Sequence, residues 1–489
     1  LVRNWHNMNG RCLKAALLRH LGRDNTALLA ESLAIDPLQM GCLYEESRRT
    51  GTPEVWRTVM RQEAHNYLDL ALHYAKAGLL EEAVEILQAC PEQSPMPSYY
   101  EGYLHGLAGD EAAARACCLR AEHLPAPRCY PNRVEEIAIL EYAIRLLGRA
   151  PRAHALLGCL LYDKKQADAA IAHWEASVQQ DPGQALVHRN LAIARYNKQG
   201  DADAALREME QARRLDPGYP RLLLEYEQLA ARLGRSNAAR LQLLEENLAL
   251  VEQRDDLMLR YVTLLNCEGR CEEALQILLT RRFHPWEGGE GKVSAQYRYA
   301  LIRLAKDCLN RGENDRAVQL LEQSKTYPDT LGEGKLPNVP DNEADYWQGV
   351  ALRAMGREPE AAAAFLRAAS GPQEPGRVLY YNDQPSDFIY YQGLAQRAMG
   401  NEAAARKAFH KLLTYGETHL FDAVAYDFFA VSLPEIEVFA DDIALRNRQY
   451  CNYLRALGCA GLGRTSEAAE LFAGILELQP DDQGALRHA

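Results

Sequence analysis

A pattern of apolar residues at helical spacing occurs twice in succession between residues 152 and 217, and this repetition constrains the fold more than any other sequence feature. The run from Tyr162 to Lys164 returns after 34 residues as the run from Tyr196 to Lys198. In each copy large and small apolar residues alternate at helical spacing, and a proline, Pro182 or Pro217, follows the second helix. Each copy therefore predicts two closely packed helices. One such pair cannot bury its apolar face alone, so the pattern predicts a stack of pairs.

The period and the residue types resemble those of the tetratricopeptide repeat (TPR). The two copies carry large and small residues in the order that this repeat shows: Leu157, Gly158, Ala170 and Trp174, then Leu191, Ala192, Ala205 and Met209. The resemblance implies an all-α fold, a TPR-like α-solenoid in which roughly eleven helical hairpins form a right-handed superhelix. Loop insertions interrupt the pattern in the C-terminal half.

The regularity of the repeats divides the chain into three regions. Residues 1–150 read as divergent TPR-like hairpins, residues 151–280 as regular hairpins, and residues 281–489 as hairpins with inserted loops. The sequence predicts these loops at 281–293, 327–342, 371–387 and 419–442.

Composition narrows the classes of partner and compartment. The formal net charge of −12 disfavours nucleic acid, and no apolar run is long enough to predict a membrane span. The twelve cysteines are scattered without zinc spacing, so we expect core thiols in a reducing compartment, a cytoplasmic location, and neither metal nor cofactor. Because the sequence starts with Leu1, we also expect the natural amino terminus to be missing.

The first insertion combines an aromatic ring, charged groups and three glycines. Its candidate ligand-binding residues are His284, Trp286, Glu287, Glu290 and Lys292. Tryptophan beside carboxylates suits a sugar, because a pyranose packs on the ring while its hydroxyl groups bind the acids. The alternative is that Trp286 fills the gap under an irregular connection while the charges face solvent.

The sequence Gly-Glu-Gly-Lys occurs at 289–292 and again at 332–335, which adds Glu333 and Lys335 to the candidates. Both insertions follow second helices of successive hairpins, so we expect them at the same edge, facing one another. They either clamp one polar ligand or pair their own charges to hold the loops. A phosphate-binding P-loop is excluded because its spacing fails at both sites.

A third insertion carries four candidate residues: Tyr381, Asn382, Asp383 and Gln384. These residues could offer a stacking surface and hydrogen-bonding groups to a ligand. The same residue types are also common in turns that anchor a loop to the helices below it.

Polar residues near the ends of the first helices indicate a different use. Asp163, Arg189, Tyr196 and Asn197 could present spaced hydrogen-bonding groups to a peptide in the groove of the solenoid. TPR proteins that bind peptides use Asn, Lys and Arg on first helices in this way. The alternative is that these residues are the polar ends of ordinary helices.

Taken together, the insertions resemble a more specific group of proteins. The runs 283–292, 331–335 and 380–385 are similar to those in the TPR region of large bacterial proteins that carry an N-terminal β-rich domain of unknown function. That architecture implies carbohydrate handling, and it implies that the insertions face a partner domain or its ligand.

These observations favour a non-catalytic TPR scaffold that mediates protein–protein or interdomain contacts, with residues 281–293, 327–342 and 379–387 as one functional edge. No catalytic residue is predicted, because no known arrangement of nucleophile, base or metal ligands appears. The first alternative is the helical part of a carbohydrate-active protein, with Trp286, Glu287 and Glu290 in contact with a glycan. The second is a peptide receptor that uses the groove. The expected partner is therefore a protein, a peptide or the missing N-terminal domain, with carbohydrate as the alternative.

Overall fold

The computed structural model describes residues 4–286, 288–380, 383–426 and 437–489. Within these ranges the regular elements are helices and none is a strand, so the all-α prediction is confirmed. The chain forms two compact units, Leu1–Ala194 (unit 1) and Arg195–Ala489 (unit 2). Their boundary lies inside the predicted regular region 151–280. The division into three regions rests on repeat regularity and remains a prediction.

Unit 1 is a succession of short helices that pack on their neighbours in sequence. Its helices are α1 (Met8–His20), α2 (Thr26–Ile35), α3 (Met40–Thr50), α4 (Glu54–Met60), α5 (Ala64–Lys76), α6 (Leu80–Gln88), α7 (Pro95–Leu107), α8 (Glu111–His123), α9 (Glu135–Leu147), α10 (Pro151–Asp163), α11 (Ala167–Gln180) and α12 (Ala185–Ala194). The pairs α1/α2, α3/α4, α5/α6, α7/α8 and α10/α11 are hairpins, and α9 contacts both α7 and α10.

The alternation of small and large residues acts where the two helices of a hairpin meet. Gly158 of α10 faces Trp174 of α11, and a Cβ atom at position 158 would lie only 2.5 Å from the indole. The indole Nε1 donates a hydrogen bond of 3.2 Å to the carbonyl oxygen of Ala155. Glycine therefore sets the close approach of the two helices, as the sequence pattern predicts.

Unit 2 begins with a π-helix, Arg195–Gln199, and continues with α-helices. These helices are α13 (Ala202–Leu215), α14 (Pro220–Arg232), α15 (Asn237–Glu245), α16 (Leu248–Val251), α17 (Asp255–Cys267), α18 (Cys271–Thr280), α19 (Lys292–Asn310), α20 (Asn314–Gln323), α21 (Asn342–Ala354), α22 (Glu358–Ala368), α23 (Phe388–Ala398), α24 (Glu402–His419), α25 (Ile443–Gly461), α26 (Thr465–Leu478) and α27 (Gln483–His488), with a 3₁₀-helix at Asp329–Leu331. The hairpins are α14/α15, α17/α18, α19/α20, α21/α22, α23/α24 and α25/α26.

The same contact of glycine with an aromatic ring recurs in unit 2. A Cβ atom would lie 2.6 Å from Phe365 at Gly349 and 2.4 Å from Phe409 at Gly393. In both pairs the ring follows the glycine by sixteen residues, as Trp174 follows Gly158. The repeat unit read from the sequence is therefore also the packing unit.

The cysteines and the apolar residues fill the spaces between helices. All twelve cysteines are free thiols, and eight of them are buried. Among the described residues no helix is long and apolar enough to cross a bilayer. Nor does any group of three or more His, Cys, Asp and Glu side chains in this part of the chain suit a metal ion.

Candidate functional site

The first two insertions of unit 2 contact each other. The backbone N–H of Phe283 donates a hydrogen bond of 2.8 Å to the carbonyl oxygen of Thr330. Gly332 has a φ of +76°, and a Cβ atom there would lie 2.3 Å from the carbonyl oxygen of Phe283. Only glycine fits this close approach in a left-handed conformation. The expectation that the two loops face one another is confirmed.

Glu333 explains why the two Gly-Glu-Gly-Lys runs lie together. Its carboxylate accepts hydrogen bonds from the backbone N–H of Gly291 at 2.7 Å and of Ser294 at 3.1 Å. Gly291 is the N-cap residue of α19 and Ser294 lies in its first turn, where the backbone N–H groups have no partner within the helix. The second run therefore caps the helix that the first run begins, and the negative charge suits that end of the helix dipole.

Other charged candidates in these loops also bind within the loops. Lys335 Nζ lies 2.6 Å from both carboxylate oxygens of Asp341, and the Glu290 carboxylate accepts a hydrogen bond of 2.7 Å from the N–H of Gly288. These contacts favour the interpretation that the charges hold the loops. Lys292 begins α19 and lines the cavity described below.

His284 is held at the start of the first insertion by Asp255, the first residue of α17. The Asp255 carboxylate lies 3.0 Å from His284 Nδ1, accepts the backbone N–H of His284 at 2.9 Å, and pairs with Arg281 at 2.6 Å. Burial works to raise the pKa of Asp255, but the hydrogen bonds from Arg281 and His284 outweigh it and leave that pKa below its usual value. The imidazole itself is largely exposed.

Trp286 packs on its own loop. A Cβ atom at Gly289 would lie 2.1 Å from the indole, so the backbone at that glycine covers part of the ring. The side chain is half-buried against the core of unit 2. This packing favours a structural role for the ring. Its neighbour Glu287 lies outside the described residues.

In the third insertion Asp383 forms a turn. Its carboxylate accepts hydrogen bonds from the backbone N–H groups of Leu379 at 2.8 Å and Tyr380 at 2.9 Å. This is the turn chemistry that the sequence offers as one alternative. Gln384 follows this turn and is half-buried, whereas Tyr381 and Asn382 lie outside the described residues.

The four groove candidates fall in different units. Asp163 and Arg189 belong to unit 1, where Asp163 ends α10 exposed beside Lys164, and Arg189 lies on α12. Tyr196 and Asn197 belong to the π-helix of unit 2. Two residues of the predicted ladder therefore lie in unit 1 and two lie in unit 2.

Asn197 holds another part of its own chain in the manner of a bound peptide. Its side-chain Nδ2 donates to the carbonyl oxygen of Val438 at 2.7 Å, and its Oδ1 accepts the N–H of Ala440 at 2.7 Å. Between these two residues Phe439 is buried, with its ring 5.3 Å from that of Tyr196. We call this arrangement the Asn197 clamp.

A cavity of about 640 Å³ in unit 2 begins at this clamp. It brings together the π-helix, the first and third insertions, residues 437–442, and parts of α14, α17 and α25. Its lining includes Tyr196, Arg232, Arg260, Lys292, Tyr380, Tyr426, Asp441 and Arg446. Of the predicted candidates, the structure brings Tyr196 and Lys292 to this cavity. Gly288, Tyr380 and Asp441 also line it and lie in predicted insertions. The lining residues on α14, α17 and α25 lack a motif, so the sequence offers no signal for them.

The charges around the cavity are arranged in pairs. Arg232 pairs with Glu437 at 2.5 Å, and Arg446 pairs with Asp441 at 2.7 Å and contacts the Tyr426 hydroxyl. The rings of Tyr380 and Tyr426 lie with their centroids 6.4 Å apart. Burial raises the pKa of Tyr426, so its hydroxyl stays protonated and acts as a neutral hydrogen-bonding group. The cavity thus combines aromatic rings with guanidinium and carboxylate groups.

Comparison with known proteins agrees with the repeat architecture. A family model described as tetratricopeptide repeat matches residues 387–415, which contain α23 and most of α24. The repeats are TPR-like, as predicted.

Solved structures of TPR proteins are among the similar structures, at low identity. MamA from Desulfovibrio magneticus RS-1, from its residue 41 onward, is 19% identical, with 40% of this chain and 99% of that chain covered and a TM-score of 0.24. A TPR protein from Parabacteroides merdae is 16% identical, with 62% and 100% covered and a TM-score of 0.27. YrrB, described as a TPR protein with an unusual peptide-binding site, is 18% identical, with 33% and 91% covered and a TM-score of 0.18.

Proposed function

We propose that this protein is a non-catalytic scaffold that binds a partner protein through an extended peptide segment in the cavity of unit 2. The observation that carries the proposal is the Asn197 clamp. One side-chain amide satisfies a backbone carbonyl and a backbone N–H two residues apart, Val438 and Ala440. Every peptide backbone offers these two groups. A helix surface that carries such an amide can therefore bind an extended peptide regardless of the peptide's side chains.

The cavity beside the clamp supplies what a partner's side chains need. Tyr196, Tyr380 and Tyr426 offer aromatic faces, and tyrosine is enriched where protein partners bind. Arg232 and Arg446 already pair with carboxylates, so they offer hydrogen bonds with little net charge. A peptide with an apolar or aromatic side chain between polar neighbours fits this combination best.

The functional edge predicted from the insertions enters this proposal in part. The first and third insertions line the cavity, and the second supports it, because Glu333 caps the helix that Lys292 begins. The N-terminal β-rich domain that the resemblance implies is one candidate partner. The other groove candidates, Asp163 and Arg189, belong to unit 1 and are not part of this proposal.

The experiment is selection of displayed random peptides on the unaltered protein, followed by affinity measurement on variants. Tyr380→Ala should weaken the selected peptides at least about tenfold, because truncation of a tyrosine at the centre of an interface costs about 2 kcal/mol, and tenfold corresponds to about 1.4 kcal/mol. Tyr130→Ala is the matched control, since Tyr130 is an exposed tyrosine of unit 1.

Two results would contradict the proposal. One is a protein that selects no peptide, and the other is peptides that bind equally to the Tyr380→Ala variant. A glycan array on the same protein tests the carbohydrate alternative. Glycan binding that disappears in Trp286→Ala, in place of peptide binding, would establish that alternative.

A further inference from the structure

Residues 480–488 of unit 2 lie against helices that belong to successive hairpins. Side chains of this segment, which we call the 480–488 segment, contact α15, α17, α19, α21, α23 and α25. The contacting residues on these helices include Arg240, Arg260, Gln296, Glu343, Tyr391 and Tyr453. A segment held by so many helices is bound in the way that a repeat protein binds a peptide.

The first part of the segment carries an aspartate that enters a buried ionic cluster. Asp481 lies 2.9 Å from Arg240 and 3.7 Å from Arg260, and both arginines also pair with Glu227 at 2.6 Å. The carbonyl oxygen of Pro480 accepts a hydrogen bond of 2.7 Å from the Asn237 side chain. Burial works to raise the pKa of Asp481, but the two guanidinium groups lower it, so the carboxylate stays charged. This end of the site selects an acid.

The middle of the segment is recognised by a reciprocal pair of amides. Gln296 Nε2 donates to Gln483 Oε1 at 3.0 Å, and Gln483 Nε2 donates to Gln296 Oε1 at 2.8 Å. The orientation of Gln296 is set by Asn266, whose Nδ2 donates to Gln296 Oε1 at 3.0 Å. A glutamine at this position of the segment therefore uses both its amide N–H donor and its amide oxygen acceptor.

The last part carries a base and an aromatic ring. Arg487 pairs with Glu343 at 2.7 Å, lies 3.8 Å from Asp387, and stacks over the ring of Tyr299. His488 Nε2 lies 2.8 Å from the Tyr391 hydroxyl, and its ring stacks on Phe472 at a centroid distance of 6.2 Å. Two carboxylates and a set of aromatic rings thus select an Arg-His pair.

We propose that this face of unit 2 is a recognition surface for a partner segment of the pattern Asp-x-Gln-x-x-x-Arg-His, and that the 480–488 segment is its resident competitor. This face adjoins the cavity proposed above, because Asp481 and Arg260 also line that cavity, whereas the contacts of Gln483, Arg487 and His488 involve residues that do not line it. A partner of this pattern binds by displacing residues 480–488, and a partner that lacks the arginine leaves the buried carboxyl groups of Glu343 and Asp387 without a guanidinium partner.

The connection between α26 and α27 sets how strongly the resident segment competes. Only a few residues separate Leu478 from Gln483, so the local concentration of the segment is on the order of millimolar. A free peptide that binds the vacant surface at about 10 μM should therefore bind the unaltered protein roughly 100-fold more weakly.

The test uses the full chain and a fluorescent peptide of residues 479–489. Arg487→Ala with His488→Ala weakens the resident segment, and this double variant should bind the peptide about 100-fold more tightly than the unaltered protein does. The matched control peptide carries Arg487→Ala, and it should bind the double variant at least about tenfold more weakly. Adding Glu343→Gln to the double variant should weaken the unaltered peptide similarly.

A second measurement does not depend on the folding of the variants. Excess unaltered peptide added to the unaltered protein should increase hydrogen exchange of the backbone amides at 484–489, because the resident segment is displaced. The proposal is overturned if exchange there is unchanged at saturating peptide. It is also overturned if a double variant of native helicity binds both peptides equally, or neither. Peptide binding in the cavity is tested separately by Tyr380→Ala.

Discussion

Removal of the Glu333 carboxylate should loosen the start of α19 without unfolding the rest of the helix. The change is Glu333→Ala. It leaves the N–H groups of Gly291 and Ser294, now capped at 2.7 Å and 3.1 Å, without that partner. A lost cap costs about 1 kcal/mol, and a lost charge at the N-terminus of a helix costs about another 0.5–1 kcal/mol. The sum is about 2 kcal/mol.

Hydrogen exchange measured by mass spectrometry tests this value directly. A loss of about 2 kcal/mol corresponds to roughly 30-fold faster exchange, and we expect it for the amides of residues 288–296. Glu333→Gln keeps an oxygen acceptor but removes the charge, so it should give about half the effect in free energy. Glu417→Ala, at an exposed glutamate of α24, is the control that should leave these amides unchanged.

The reasoning is refuted if exchange at 288–296 is the same in Glu333→Ala and in the unaltered protein. It is also refuted if the acceleration is spread evenly over unit 2, since that would show loss of global stability in place of a lost cap. In either case the repeated Gly-Glu-Gly-Lys runs would need another explanation, and the result would favour the alternative that the two loops bind one polar ligand.

The remaining predictions concern packing and pH. Gly158→Ala should destabilise unit 1 by about 1–3 kcal/mol in urea unfolding, because the new methyl group would lie 2.5 Å from Trp174. The control is Gly474→Ala on α26, where the new methyl group meets no atom within 4 Å, so this change should be neutral or slightly stabilising. Gly332→Ala should cost at least about 1 kcal/mol and should release the contact between the first two insertions, detected as faster exchange at Phe283. Burial and the nearby Arg487 lower the pKa of His488 from 6.5 to about 4. The neutral imidazole therefore contributes fully to the free energy of unfolding above pH 6.5, and this contribution is lost as the pH falls towards 4. The urea stability of unit 2 should fall over that range by about 1.4 kcal/mol per pH unit more than in His488→Phe, and equal slopes would contradict the assignment.

Much of the fold could be read from the sequence because its causes are local. The period of 34 residues, the glycine sixteen residues before an aromatic ring, and the prolines after second helices all act within one hairpin. The close contact of Gly158 with Trp174 is a property of one repeat, and it recurs as Gly349 with Phe365. The contact between the first two insertions was also predictable, because both follow second helices of neighbouring hairpins.

The candidate site was predictable only in part. Asn197 was one candidate for binding a peptide backbone, with the polar end of an ordinary helix as the alternative, and the structure shows it binding the backbone of its own chain at Val438 and Ala440. The sequence does not indicate that residue 197 would meet residue 438, because no motif links two positions so far apart. Asp255 is a similar case: as the first residue of α17 it has a negative charge that suits the helix dipole, and only the structure shows that it also binds His284.

The sequence by itself determined the helical hairpin, its packing and its order along the chain, because those depend on contacts between residues that are near in sequence. Only the tertiary structure decided which distant segments meet. Small rotations between successive hairpins accumulate over unit 2, and they bring residues 437–442 to the π-helix and the 480–488 segment to α15–α25. Such rotations arise from the detailed fit of side chains between hairpins, which a repeat period does not encode.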